Sequence, residues 1–219
     1  IINMKHKYTH YIYASFALLL FVALGYMVKF YPEALTGFDS NIQTWVRGDL
    51  PGGLTAFFKM ITTLGNTSVQ AVIAILAVIW LYLRQYKAEA IFVGTSGVLA
   101  SIMIMSLKYI YQRPRPSITH LVHAGGYSFP SGHSLGTFMI LGAIAIVLTQ
   151  RLVKKAAKTA VYGITGLLIF LVGLSRIYVG VHYPTDVLAG FTLAFGLLNA
   201  IYPTYDRIRF EWRFQSKQK

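Results

Sequence analysis

Cysteine is absent from the 219-residue chain, and acidic residues are few. Without a thiol there is no disulfide, no cysteine-ligated zinc site and no cysteine nucleophile, so any chemistry must use other side chains. Charged residues make up only 12% of the sequence and hydrophobic residues 55%, with a mean hydropathy of +0.55. Soluble domains carry about 25% charged residues. This composition excludes an ordinary water-soluble globule and indicates an integral membrane protein.

Six apolar runs approach the length needed to cross about 30 Å of hydrocarbon. They cover approximately residues 11–28, 69–83, 88–107, 134–149, 159–174 and 187–202. Several runs are short for a perpendicular span, so we expect their flanking residues to be helical as well, or the bilayer to thin around them. The sequence therefore predicts an all-α protein in which residues 1–219 form one integral membrane domain, a bundle of six transmembrane helices.

The connection between the first two runs, residues 32–67, is too apolar for a simple solvated loop. Four of its apolar residues recur at the spacing of one helical face: Leu54, Phe57, Phe58 and Ile61. Proline and glycine at residues 50–53 break the chain just before them. We expect one or two interfacial helices here, lying on or partly in the membrane. A structural cap on the bundle is the alternative, and the sequence does not choose between them.

Basic residues outnumber acidic residues by 20 to 7, which gives a net charge of +13. When lysine and arginine are assigned to alternate sides of the six spans, 13 fall on the side of the two termini and 7 on the other side. Positive residues in short loops tend to stay in the cytoplasm. We therefore expect a multi-pass protein of the cell membrane with cytoplasmic termini, and residues 109–131 and 176–185 facing the periplasm or exterior. Nucleic acid is not expected as a partner, because the cytoplasmic cations are scattered over several loops and tails.

Two polar segments stand out beside the outward ends of the runs. The first covers residues 108–116, where two prolines end a helix and three cations cluster. The cations are Lys108, Arg113 and Arg115. The second covers residues 127–134, just before the fourth run. Because backbone N–H groups at the start of a helix bind phosphate and similar anions, both segments favour an anionic ligand.

A third polar segment lies at the turn between the fifth and sixth runs and contains Arg176, His182 and Asp186. Each has an ordinary interpretation when taken alone. An arginine at a helix end often extends its charge to the membrane interface, and an aspartate often caps a helix. Together with His133, these residues place cations, two histidines and a carboxylate at one membrane face, which favours a catalytic site.

The spacing of these residues resembles the three-part signature of the type 2 phosphatidic acid phosphatase family, which is related to vanadium haloperoxidases. The matching residues are Lys108-x6-Arg115-Pro116, Pro130-Ser131-Gly132-His133 and Ser175-Arg176-x5-His182-x3-Asp186. The resemblance covers residues 108–186 directly, and the six-span topology extends it to nearly the whole chain.

This resemblance implies a role for each matching residue. His182 would attack phosphorus and form a transient phosphohistidine, while Asp186 would orient its ring. His133 would act first as a general acid and then as a general base. The phosphate oxygens would be bound by Lys108, Arg115, Ser131, Gly132 and Arg176. Arg113 lies outside the signature, and both a head-group contact and a surface role remain open for it.

The implied substrate is a lipid phosphate or pyrophosphate, such as undecaprenyl pyrophosphate, phosphatidylglycerophosphate or phosphatidic acid, hydrolysed without a cofactor or metal. The sequence does not choose among these lipids, because tail recognition is apolar and diffuse. A lipid-to-lipid phosphotransferase with the same site is an alternative. A lipid or ion transporter is the alternative outside enzymes, but beyond Glu89 almost no charge lies within the runs. The oligomeric state is left open.

Overall fold

The computed structural model describes residues 4–218 of the chain and the side chains of residues 7–218. Within that range it consists of eight helices and contains no strand. The helices are α1 Met4–Phe30, α2 Glu33–Arg47, α3 Gly52–Thr63, α4 Thr67–Leu83, α5 Lys87–Tyr111, α6 Gly132–Thr149, α7 Lys155–Tyr178 and α8 Pro184–Phe214. Each of the six apolar runs lies inside one of these helices, which confirms the predicted all-α membrane bundle.

Five helices of the described part are each long and apolar enough to cross a membrane: α1, α5, α6, α7 and α8. Helix α4 has only 17 residues. It follows α3 after a short break, residues 64–66, at which the chain bends by 49°, and the pair together passes as a sixth span. The sixth crossing is therefore a bent pair of helices rather than the single straight run that the sequence predicts.

Residues 32–67 form the two helices α2 and α3. Only part of the expected apolar face of α3 is covered, since Phe58 and Ile61 are buried while Leu54 is 43% exposed. Phe57, the remaining member of that face, is 38% exposed.

Helix α2 buries polar groups and exposes apolar ones. Its buried residues are Leu35, Asp39, Gln43 and Arg47, which recur at every fourth position and so share one face. On other faces, Trp45 is 83% exposed and Phe38 is 47% exposed. A buried polar face requires polar partners in the bundle, and these partners lie at the candidate site described below.

Helices α6 and α8 pack closely at the centre of the bundle. Leu135, Met139 and Ala189 have no exposed surface. The two helices approach each other at Gly190, where a Cβ atom would lie only 2.9 Å from the carbonyl oxygen of Ser131. Small residues allow such close approach between membrane helices. This contact sets the start of α6 against the first turns of α8.

The charged residue noted within the apolar runs, Glu89, lies at the opposite end of the bundle from that contact. It is 1% exposed and accepts hydrogen bonds from Arg151 at 3.0 Å and Arg213 at 2.9 Å. These three residues come from the start of α5, the connection after α6 and the end of α8. The other ends of α5, α6, α7 and α8 therefore meet together, and they carry the three polar segments.

Candidate active site

The start of α8 positions His182 and Asp186. Pro184 is the first helical residue, where the missing N–H of proline costs nothing. The Asp186 carboxylate turns back over this first turn and accepts a hydrogen bond of 2.9 Å from the backbone N–H of Tyr183. His182 therefore precedes the helix, yet its Nδ1 atom lies 3.4 Å from Asp186 Oδ2. The first turn of α8 thus brings together the two residues of the third motif.

The two ring nitrogens of His182 have different neighbours. Nδ1 faces the Asp186 carboxylate and Ser128 Oγ, and Ser128 also donates a short hydrogen bond to Asp186. Nε2 lies 3.3 Å from Nη1 of Arg115. Because a guanidinium can only donate, Nε2 accepts and keeps its lone pair, and the ring proton lies on Nδ1 toward the carboxylate.

The imidazole of His182 is 2% exposed. Burial lowers the pKa of His182 and outweighs the opposite effect of the nearby Asp186 carboxylate, so that with all its neighbours the pKa is about 4. The cations Arg176 and Arg115 contribute to this lowering. The ring is therefore neutral at physiological pH, as a nitrogen nucleophile must be.

Arg115 and Lys108 hold the loop that precedes α6. Arg115 donates to the backbone carbonyl oxygens of Gly125 at 2.8 Å and Gly126 at 3.1 Å, and to that of Val181 at 2.7 Å. Lys108 donates to the carbonyl oxygen of Tyr127 at 2.7 Å. The two cations of the first motif thus connect the end of α5 with the loops that carry the second and third motifs.

Arg176, at the end of α7, is a buried cation with an unused donor. It is 4% exposed, and its Nη1 donates to Thr62 Oγ1 at 2.6 Å. Its Nε is buried and has no hydrogen-bond acceptor among the described residues. Arg176 lies close enough to Lys108 and Arg115 for their charges to interact. An unpaired buried donor among clustered cations costs free energy that a bound anion would recover.

The second motif forms the N-terminus of α6. Ser131 is the N-cap, and its Oγ accepts from the backbone N–H of Ser134 at 3.3 Å and from Ser134 Oγ at 2.9 Å. The backbone N–H of Ser131 donates to the carbonyl oxygen of Asp186 at 3.0 Å. Gly132 is the first helical residue, at the end where helix N–H groups and the helix dipole favour anions.

His133 is held by the break between α3 and α4. Its Nε2 lies 3.1 Å from Asn66 Oδ1, and because an amide oxygen can only accept, Nε2 carries the ring proton. The backbone of Gly65 packs directly on this ring, since a Cβ atom at Gly65 would lie 2.4 Å from His133 Cδ2. His133 therefore presents a proton donor, in contrast to the acceptor nitrogen of His182.

The structure places Arg113 inside the protein. It is 8% exposed, and its Nη2 donates to Asp39 Oδ2 at 2.8 Å, while its Nη1 donates to Asp186 Oδ1 at 2.7 Å and Thr185 Oγ1 at 2.8 Å. Its guanidinium also stacks on the Tyr183 ring at 3.9 Å. Neither the head-group contact nor the surface role that the sequence left open agrees with this placement, because both terminal nitrogens bind protein groups.

Sequence reasoning missed the residues that support the site from outside the three motifs. They are Asp39 and Gln43 on α2, Thr62, Gly65, Asn66 and Gln70 around the α3–α4 break, and Ser128 before α6. Gln43 donates to the carbonyl oxygen of His182 at 3.5 Å, and Gln70 donates to that of His133 at 3.4 Å. A sequence signal did exist for α2, where Asp39, Gln43 and Arg47 recur at every fourth position.

The chain is similar to known proteins. The sequence model of the PAP2 superfamily matches residues 89–210. Phosphatidylglycerophosphatase B of Bacillus subtilis (strain 168) is 43% identical over 106 residues, which cover 48% of this chain and 49% of that protein. An undecaprenyl-diphosphatase of the same organism is 32% identical over 133 residues, covering 58% of this chain and 64% of that protein. The aligned chain thus spans about half to two thirds of the length of these two relatives.

A solved structure has the same architecture. The crystal structure of a transmembrane PAP2-type phosphatidylglycerolphosphate phosphatase from Bacillus subtilis is similar with a TM-score of 0.81 and 28% sequence identity. The similarity covers 89% of this chain and 96% of that chain, so it includes most of the bundle. The chain belongs to the PAP2 superfamily.

Proposed function

We propose that this protein hydrolyses the phosphate or pyrophosphate group of a membrane lipid, at the periplasmic or exterior face, through a phosphohistidine on His182. The observation that carries the proposal is the nucleophilic Nε2 of His182 beside the cations of the three motifs, one of which has an unused buried N–H. The names of the similar proteins, a phosphatidylglycerophosphatase and an undecaprenyl-diphosphatase, favour the same class of substrate.

In the first step, Nε2 of His182 attacks phosphorus. A P–N bond forms and the P–O bond to the lipid breaks, while His133, which holds a second ring proton on Nδ1 beside the bound phosphate, donates its Nε2 proton to the leaving oxygen and becomes a neutral imidazole. Asp186 accepts the hydrogen bond from Nδ1–H and stabilises the positive charge that develops on the His182 ring. Lys108, Arg115 and Arg176 offset the charge on the phosphoryl oxygens.

In the second step, water attacks the phosphohistidine. His133, now deprotonated, takes a proton from this water, the P–N bond breaks and inorganic phosphate leaves with the added oxygen. Both histidines then regain their starting states. N–H groups at the start of α6, together with the hydroxyl proton of Ser131, would bind the phosphoryl oxygens in both steps.

An apolar groove between α4 and α5 supports a lipid as the carrier of the phosphate. The groove has a volume of about 610 Å³ and is lined mainly by aliphatic and small residues. Its lining includes Thr67, Gln70 and Ile104. Gln70 binds the backbone of His133, and Ile104 lies beside Gly132. A long hydrocarbon tail would fit this groove while its phosphate group lies at the motifs. Undecaprenyl pyrophosphate, phosphatidylglycerophosphate and phosphatidic acid all meet this requirement.

The deciding experiment measures inorganic phosphate released from these three lipids by the purified protein in detergent. His182→Ala is expected to lower turnover at least about 1,000-fold, because it removes the nucleophile, and His133→Ala to lower it at least about 100-fold. His123→Ala, which changes an exposed histidine of the same outer loop, is the matched control and is expected to act like wild type. Normal turnover by His182→Ala would refute the mechanism.

Two additions sharpen this experiment. Vanadate is expected to inhibit competitively, since it mimics pentacoordinate phosphorus, and EDTA is expected to leave the rate unchanged. Loss of activity with EDTA would show that a metal takes part. A lipid-to-lipid phosphotransferase would consume the lipid phosphate without releasing inorganic phosphate, and a labelled lipid acceptor would then carry the phosphoryl group.

A further inference from the structure

A buried carboxylate on α2, outside the three motifs, is connected to the proposed nucleophile. Asp39 is 2% exposed, and its Oδ2 accepts hydrogen bonds from Arg113 Nη2 and Thr185 Oγ1, both at 2.8 Å. Its Oδ1 accepts from the backbone N–H of Thr185 at 2.9 Å. Since Arg113 also binds Asp186, and Asp186 faces His182, the four side chains form a continuous row: Asp39, Arg113, Asp186 and His182.

The charges in this row alternate in sign. A single guanidinium lies between two carboxylates, and all three groups are almost completely buried. If Arg113 had Asp186 as its only counter-ion, it would draw the charge of that carboxylate away from His182. With Asp39 on its other side, Arg113 is already neutralised, and Asp186 remains a full-strength acceptor for Nδ1–H of His182.

Asp39 also fixes the geometry of the loop that carries His182. By accepting from the Thr185 backbone N–H, it satisfies one of the free donors in the first turn of α8, where a negative charge also interacts favourably with the helix dipole. One turn further along α2, Gln43 donates to the carbonyl oxygen of His182. Another turn along, Arg47 donates to the carbonyl oxygen of Thr119 at 2.9 Å. The polar face of α2 therefore holds the backbone at the proposed nucleophile and at the start of α8 that follows it.

We infer that Asp39 is a positioning residue for the proposed reaction, which acts through Arg113 to set both the orientation and the acceptor strength of Asp186 toward His182. Since this role requires His182 to be the nucleophile, it rests on the proposed function. This role explains why α2 buries a polar face. It also means that Arg113 acts on the nucleophile rather than on the phosphate.

Charge substitutions at the two ends of the Asp39–Arg113 pair have opposite expected effects on His182. The charged and titratable groups around His182 are Asp186 on α8, Arg176 on α7, His133 on α6 and Arg115 in the loop after α5, with Lys108, Arg113, Tyr183 and Asp39 beyond them. Asp39→Asn removes a negative charge, so His182 protonates at lower pH. Arg113→Gln removes a positive charge, so His182 protonates at higher pH.

The test compares the pH dependence of kcat/KM in these two variants, using the lipid phosphate that wild type hydrolyses fastest. Values are taken from about pH 3 to about pH 8, so that the range extends below the His182 pKa of about 4, and are divided by the wild-type value at each pH, which removes the ionisation of the substrate. We expect each variant to lower kcat about tenfold with little change in KM. We expect the acidic limb to move by about half a pH unit, downward in Asp39→Asn and upward in Arg113→Gln.

Two further variants make these shifts interpretable. Glu33→Gln makes the same charge change on an exposed residue of the same helix and is expected to match wild type. Thr185→Val removes the hydroxyl that joins Asp39 to Arg113 without changing any charge. It is expected to lower kcat while leaving the acidic limb in place. A purely structural role for Asp39 would produce no shifts of opposite sign.

Each outcome decides a separate question. An acidic limb that stays in place, or moves in the same direction in both charge variants, overturns the role of Asp39. Gel filtration and thermal unfolding in detergent establish that each variant is folded, and if Asp39→Asn is not, the direction of the shift in Arg113→Gln decides alone. Absence of phosphate release by wild type, or its retention by His182→Ala, would instead refute the proposed function.

Discussion

At the scale of single residues, the two histidines of the candidate site differ in the partners of their ring nitrogens. His182 has a carboxylate at Nδ1 and a guanidinium at Nε2, and it therefore offers a lone pair. His133 has an amide oxygen at Nε2 and therefore offers a proton. The same side chain is thus set up for two different tasks by its neighbours, which is how sites obtain an acid and a base from one residue type.

The burial of His182 predicts the acidic limit of activity. Because burial lowers the pKa of His182 to about 4, the ring stays neutral and nucleophilic well below the ordinary imidazole pKa of about 6.5. The acidic limb of kcat/KM, corrected for ionisation of the substrate, is therefore expected below pH 6. A pH–rate profile of wild type checks this. The prediction would be contradicted if the corrected profile showed that activity requires deprotonation of an enzyme group with a pKa of 6.5 or higher.

The contact between Asn66 and His133 predicts a loss of acid catalysis without a loss of stability. Asn66 is the N-cap of α4 but makes no side-chain capping bond, so Asn66→Ala leaves the helix end unchanged. The variant is expected to lower kcat about tenfold, because His133 loses the acceptor that orients its proton. Steady-state kinetics and thermal unfolding measure the two quantities. Asn41→Ala, at an exposed position, is the control, and equal kcat in the two variants would contradict the role of Asn66.

At the scale of elements, the site depends on helices that contain none of the three motifs. The bend between α3 and α4 places Thr62 against Arg176, and Gly65 and Asn66 against His133. Helix α2 supports the other histidine through its polar face. In the proposed mechanism, the segments that carry the motifs supply the reactive groups, while α2 and the α3–α4 break help to orient them.

The packing of Gly65 on His133 predicts the effect of one added methyl group. In Gly65→Ala the new Cβ would lie 2.4 Å from His133 Cδ2 and 2.8 Å from Val172 Cγ1, so the imidazole ring must move. Misplacing a catalytic group by about 1 Å can reduce the rate about 100-fold, and we expect kcat to fall by between about 10-fold and about 100-fold.

Gly163→Ala in α7 is the matched control for this substitution. No atom lies within 4 Å of a Cβ at Gly163, and alanine in a helix is favoured over glycine by up to about 1 kcal/mol. This variant is expected to keep full activity with equal or higher thermal stability. Equal activity in the two alanine variants would show that Gly65 does not position His133.

At the scale of the whole molecule, the two ends of the bundle hold their charges differently. At the end opposite the site, buried Glu89 pairs with Arg151 and Arg213. At the site end, Arg176 lies near Lys108 and Arg115, and none of these three cations forms an ion pair with a carboxylate of the described residues. Most of the remaining positive charge lies on the side of the termini, so the cations clustered at the motif end are an exception. Binding of a phosphate group provides a reason for them.

The absence of cysteine allows the orientation to be tested with one introduced thiol at a time. His123 is exposed at the site end, and Val153 is 94% exposed at the other end. With cytoplasmic termini, His123→Cys is expected to react with an impermeant thiol reagent in intact cells, whereas Val153→Cys reacts only after lysis. The reverse pattern would place the site on the cytoplasmic side. Both variants are expected to keep phosphate release, since neither residue belongs to the site.

The sequence alone was sufficient to predict the membrane helices and to identify the three motifs. Each apolar run predicted a helix, because burial in a bilayer requires about twenty apolar residues in succession, and that is a local property of the chain. The motif residues were recognisable because their identities and short spacings are also local. The contact between His182 and Asp186, four residues apart, needed only the start of α8 to be realised.

Only the tertiary structure decided which groups orient the reactive side chains. Asp39 and Thr185 are 146 positions apart, and His133 and Asn66 are 67 apart. Periodicity within α2 shows that a polar face exists, but the face could be solvated, buried or turned toward a partner. The partners of Arg113 were equally hidden, because the pairing of buried charges depends on how the helices pack. Local sequence thus determined the elements and the reactive residues, while helix packing determined the tautomers, the charge pairs and the position of the site.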